Sequence, residues 1–124
     1  MNKVVNEFNN TANMCVDFIL QVTNDTDLKF YKKAANKILM INRNKGIEQY
    51  IIYCLPYEKQ VLDNDTKFFL NMKSGHFRTE KTNLFHILKL QKYFGVLDEE
   101  IKIIIFEYLK LLCNYSKEYL KMAL

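Results

Sequence analysis

Between Leu97 and Met122 apolar side chains recur every three or four residues: Ile101, Ile105, Tyr108, Leu112, Tyr115, Tyr119 and Met122. That is the period of one face of an α-helix. Ile104 and Leu111 widen the face on one side, Leu109, Cys113 and Leu120 on the other, and Glu107, Lys110, Asn114, Lys117 and Lys121 take the remaining arc. An arc this wide predicts a helix touched by several neighbours. Asp98 is placed as its N-cap. Glu99 and Glu100 in the first turn, with Lys117 and Lys121 in the last turns, complement the helix dipole. Lys102, Glu107 and Lys110 interrupt any run of the ~20 apolar residues that a membrane span requires.

The same period organises the chain before it. Val4 or Val5, Phe8, Ala12, Cys15, Ile19 and Val22 predict a first helix over about residues 3–22, thickened by Val16 and Phe18. The run Thr23-Asn24-Asp25-Thr26-Asp27 stops it and offers caps for the next. A second helix is expected from Leu28 to about Asn42, burying Leu28, Tyr31, Ala35 and Ile38, with Ala34 and Ile41 beside them. Gly46 is assigned to a left-handed position in the turn that follows. A third helix runs from Ile47 to about Leu55, burying Ile47, Tyr50, Ile51 and Cys54. Pro56 breaks it and opens a short helix to about Leu62. Asp63-Asn64-Asp65 forms a turn and a cap for a helical turn over Thr66 to Leu70. Residues 71–81 are read as the one long loop. A further helix over about 82–94 ends at Gly95 and pairs with the C-terminal helix.

Composition supports this reading. At 124 residues and 49% hydrophobic content the chain is long enough for one core and too apolar for a disordered tail. Three Gly and one Pro leave few turn-formers for an all-β fold. Cys15, Cys54 and Cys113 are odd in number, widely spaced and set in apolar stretches, which predicts reduced, buried thiols in an intracellular protein. No signal peptide or lipidation motif is read at the N-terminus. The net charge is +4, but only two of the eighteen basic residues are Arg. Lys, Asn and Ile are the residues of A/T-rich codons, so part of the basic balance reflects base composition.

Candidate chemistry is sparse. Between Leu28 and Ile47 lie Lys29, Lys32, Lys33, Lys37, Arg43 and Lys45, with no acidic residue among them. Such a row suits phosphate contacts of nucleic acid. The plainer reading is a solvated lysine face, and the scarcity of Arg argues against base recognition. A second candidate is the loop carrying Lys73, His76, Phe77, Arg78 and Lys81, where an exposed aromatic among charges would stack on a base or dock on a protein; the plainer reading is that Phe77 tucks back into the core and the charges solvate the loop. Tyr50, Tyr53, Tyr57, Tyr108, Tyr115 and Tyr119 form a third, since Tyr anchors interfaces, although core packing with hydroxyls at the rim explains them as simply. A Cys–His pair with His86 would require a polar, electropositive pocket, and the cysteines lie in apolar stripes. His76 and His86, ten apart, have no metal-ligand spacing, and there is no glycine-rich phosphate loop. No catalytic residue, metal or cofactor is expected.

Two stretches carry a resemblance. The run from Ile51 to Asn71, with Leu55-Pro56-Tyr57 before the acidic turn Asp63-Asn64-Asp65 and then Phe68-Phe69-Leu70, is similar to a segment of short helical proteins from large nucleocytoplasmic DNA viruses of protists. Leu97-Asp98-Glu99-Glu100 and Phe106-Glu107-Tyr108-Leu109-Lys110 resemble their C-terminal helix, which often has Trp and Gln where this chain has Phe106 and Lys110. The resemblance implies a viral origin, a place in the host cytoplasm or the virion, and no catalytic residues.

The expectation is one all-α domain over residues 1–124, a compact bundle of about five helices around a central C-terminal helix. The favoured function is a non-enzymatic viral module that engages a host or viral protein, or serves structurally, with Tyr53, Tyr57, Lys73, His76, Phe77 and Arg78 at its surface. The alternative is a nucleic-acid-binding accessory protein using the lysine-rich helix. No membrane association is expected.

Overall fold

A computed structural model describes residues 2–70 and 95–123. Every regular element among them is helical. In order they are α1 (Asn2–Thr23), α2 (Thr26–Ile41), α3 (Lys45–Tyr53), a 3-10 turn (Leu55–Tyr57), α4 (Glu58–Leu62), α5 (Thr66–Leu70) and α6 (Glu99–Ala123). The expected loop 71–81 and helix 82–94, and the pairing of that helix with α6, lie outside the described residues.

The core is built where α1 and α6 pack along each other, with α3 and α4 closing on α6 from other directions. α1 contributes Val4, Val5, Phe8, Cys15 and Ile19, α3 contributes Ile47 and Tyr50, and α4 contributes Val61. α6 contributes Ile105, Phe106, Leu112 and Cys113. Each of the larger side chains stabilises the fold by about 1.5–3 kcal/mol on leaving water. Phe8 meets Tyr50 edge-on at 5.5 Å, joining α1 to α3. Two polar residues are buried with them, Thr11 and Ser116. The Ser116 hydroxyl donates to the Leu112 carbonyl at 2.8 Å, so it costs no unmet polar group.

The local signals for starts and stops act as their chemistry requires. Asn24 is left-handed (φ 57°) and lets the chain turn out of α1. The Asp25 carboxylate then accepts from the N–H of Asp27 at 2.9 Å and of Leu28 at 3.3 Å, so α2 begins at Thr26 rather than Leu28. Pro56 ends α3 at Tyr53, and the 3-10 turn passes the chain into α4. Asn64 is left-handed (φ 52°), and Asp65 accepts from the N–H of Phe68 at 3.0 Å to cap α5.

Four expectations are corrected. α2 has no buried stripe. None of its residues is buried, and Ala35, Ile38 and Ile41 are exposed. Its period is helical, but the side that turns toward the rest of the chain, through Leu28, Lys32, Asn36 and Leu39, is only half-buried. The buried arc of α6 is shifted toward the side that Leu109 and Cys113 were expected to widen. Phe106 and Ser116 lie inside with Ile105, Leu112 and Cys113, while Ile104, Leu111 and Met122 lie outside. Gly46 is not left-handed but sits in the first turn of α3. A Cβ there would meet Asn9 Oδ1 at 3.4 Å and Leu39 at 3.5 Å, ordinary contact distances, so neither the backbone nor the packing demands glycine at this position. Gly95 and Val96 are themselves helical and the chain bends at Leu97, so the helical conformation does not stop at Gly95. A glycine costs a helix only about 1 kcal/mol and does not forbid it.

Candidate functional site

α2 is the helix whose burial least explains its sequence. On its outer side Lys29, Lys33 and Lys37 follow one another at four-residue intervals, all exposed. Beside that row runs a second line, Phe30, Ala34, Ile38 and Ile41, at spacings of four, four and three. Phe30 is 69% exposed and Ile41 89%, and Met40 extends the apolar surface at 84%. A solvated face has no use for these side chains, and clustered exposed apolar groups mark interaction surfaces. Asp27 is the only acidic residue on the helix and sits in its first turn.

The other members of the basic set go elsewhere. Lys32 turns inward and pairs with Asp17 of α1. Arg43 lies in the turn after α2, where its carbonyl accepts from Asn9 Nδ2 at 3.1 Å. Lys45 opens α3. The six cations therefore do not make one stripe. Three form the outer row, and the others are spread around its inner side.

The tyrosines expected at the surface are largely committed to packing. Tyr50 is buried. Tyr57 is half-buried against the ring of Phe68 at 5.3 Å. Tyr108 stacks obliquely on Phe18 at 6.2 Å. Tyr53 is half-buried and lines a cavity. Lys73, His76, Phe77 and Arg78 lie outside the described residues.

That cavity, of about 400 Å³, lies between α1, α3 and the inner side of α2. Phe8, Ala12, Val16, Leu39 and Leu112 make its walls apolar, with Lys32 and Lys45 its charged members. No sequence pattern announces it, because its lining is assembled from the facing sides of α1, α2 and α3, with Leu112 of α6. Asn9 Oδ1, on the same lining, is buried without a hydrogen-bond donor.

The thiols are held protonated. Burial pushes Cys15 and Cys54 up to about 12, and pushes Cys113 upward as well. Thiols in this state carry almost no thiolate at neutral pH. Among the described residues no group of three or more His, Cys, Asp or Glu side chains is placed to hold a metal ion. No described helix is long and apolar enough to cross a membrane.

Compared with family models, curated proteins and solved structures, the chain matches none.

Proposed function

We propose that this chain is a non-enzymatic binding module whose interaction surface is the outer face of α2, and that its partner is a protein presenting an apolar strip edged by acidic residues. The observation that carries the reading is the adjacency of two lines on one helix, apolar Phe30, Ile38 and Ile41 beside cationic Lys29, Lys33 and Lys37. Apolar side chains supply the area that a partner buries, and the lysines select acidic partners and speed the encounter. The proposed setting is viral and intracellular, which rests on the two resembling stretches alone.

Nucleic-acid binding is the second reading, favoured by the same three lysines. The phosphate backbone offers nothing for Phe30, Ile38, Met40 and Ile41 to bury against, so the protein reading accounts for more of the face. The test is a pair of titrations. One uses synthetic amphipathic helices with glutamate-rich or lysine-rich polar faces, and the other uses single- and double-stranded DNA and RNA across a salt series. The protein reading predicts binding of the acidic helices that is lost in a Phe30→Ser/Ile41→Ser variant. Nucleic-acid binding that weakens steeply with salt, disappears when Lys29, Lys33 and Lys37 become Glu and ignores the Phe30/Ile41 change would replace it.

A further inference from the structure

The inner side of α2 raises a separate question. A sixteen-residue helix that buries none of its residues lies over an apolar cavity of about 400 Å³. The volume is in the range of ordinary small-molecule sites, about 300–1,000 Å³. Along α1 it is lined by Asn9, Ala12, Asn13 and Val16, in successive turns. At 1.5 Å per residue that is about 10 Å. Its walls are mostly methyl, methylene and ring carbon, with the amides of Asn9, Asn13, Asn36 and Gln49 among them.

The charge at its edge is one-sided. No Asp or Glu lines the cavity, and its two ionic members are Lys32 and Lys45. Lys32 is already neutralised by Asp17. Lys45 is exposed at the amino end of α3, where the Asn44 side chain makes no capping hydrogen bond. A helix's amino end favours negative charge, so this end of the cavity presents an ammonium and a helix start without a side-chain cap, with Glu48 in the same first turn. One uncommitted cation suits a monoanion better than a phosphate dianion.

We infer that the cavity between α1, α2 and α3 binds a single-chain aliphatic carboxylate, its chain lying along α1 and its carboxylate at Lys45. Occupancy would bury the inner residues Ala35 and Leu39 and so fasten α2 to the rest of the chain. The inference shares only Ile38 with the outer-face reading and otherwise uses the inner side of the helix.

The test is calorimetric titration of the whole chain with laurate below its micellar concentration, with dodecylamine and methyl laurate as controls. The expected result is one laurate per chain, a raised melting temperature, and binding of both controls weaker by about tenfold or more. Ala35→Phe fills the cavity from an exposed position, so the variant is expected to keep its helical circular dichroism and lose laurate. Lys45→Glu, which leaves the apolar walls intact, is expected to weaken laurate about tenfold and to strengthen dodecylamine. Absence of laurate binding, equal binding of dodecylamine, or unchanged binding by a folded Ala35→Phe variant would overturn the inference.

Discussion

The Tyr50 hydroxyl donates to the Leu109 carbonyl at 2.8 Å, tying α3 to the middle of α6 across 59 residues of chain. Cys113 Sγ lies 3.4 Å from the same hydroxyl, one turn further along α6. Removing the hydroxyl alone in Tyr50→Phe is expected to cost about 1 kcal/mol of unfolding free energy, the usual net value of such a bond. Removing the ring in Tyr50→Ala is expected to cost about 3–5 kcal/mol. Urea denaturation measures both. A Tyr50→Phe variant as stable as the parent would show that the hydroxyl does not hold these helices together.

The orientation of α6 is open to a similar comparison. Ile104 and Ile105 are neighbours of identical chemistry, 41% and 0% exposed. Ile105→Ala is expected to destabilise by about 2–5 kcal/mol, the range for emptying a packed site. Ile104→Ala is expected to cost less than about 1 kcal/mol. Equal costs would mean that α6 is turned differently in solution.

These two residues also show where sequence reasoning ran out. Periodicity located α1, α3 and α6, and the runs 23–27 and 63–65 were legible as sources of caps, while the choice of Asp25 and Asp65 within them came from the structure. The all-α class followed from the same signals. The rotation of α6 did not, because its apolar arc is wide enough to accept several orientations. The choice was made by Phe106 and by the Tyr50 bond to Leu109, which are tertiary facts. α2 misled for a related reason. Its apolar residues have a helical period whether they face a core or a partner, and periodicity alone does not tell the two apart. The lysine row was legible in full, whereas Lys32 could not be seen to leave it for Asp17 until α1 and α2 were set side by side.

The thiols carry a pH dependence. Cys15 and Cys54 hold their protons to about 12 in the folded chain, against an ordinary value of 9.0. The folded state thus binds more protons than the unfolded state between those values, and stability must fall as pH rises through them. The contribution is complete below pH 9.0 and is lost by about 12. Thermal melts from pH 7 upward are expected to show a falling midpoint from about pH 9. Alkylation at pH 8 is expected to be slow for the native chain and fast in urea. Rapid native alkylation of all three cysteines would contradict the burial.

α2 should open before the rest. It buries none of its residues, so its amides are expected to exchange with solvent at lower free energy than those of α1 and α6. Asp25→Ala removes the cap, which is worth about 0.5–2 kcal/mol. A loss of 1–2 kcal/mol accelerates α2 exchange by roughly 5–30-fold. Exchange in α1 and α6 should not change. A uniform acceleration across all helices would show that α2 is as tightly integrated as they are.

The outer face of α2 is tested most directly by photocrosslinking from position 41. A photoreactive residue is placed there in cells expressing the protein, and at Glu107 on the exposed side of α6 as a control. Discrete adducts are expected from position 41 that are degraded by protease and survive nuclease. They should be absent from position 107 and lost when Lys29, Lys33 and Lys37 are changed to Glu. Adducts that nuclease destroys, or the same adducts from both positions, would contradict the protein-binding role of that face.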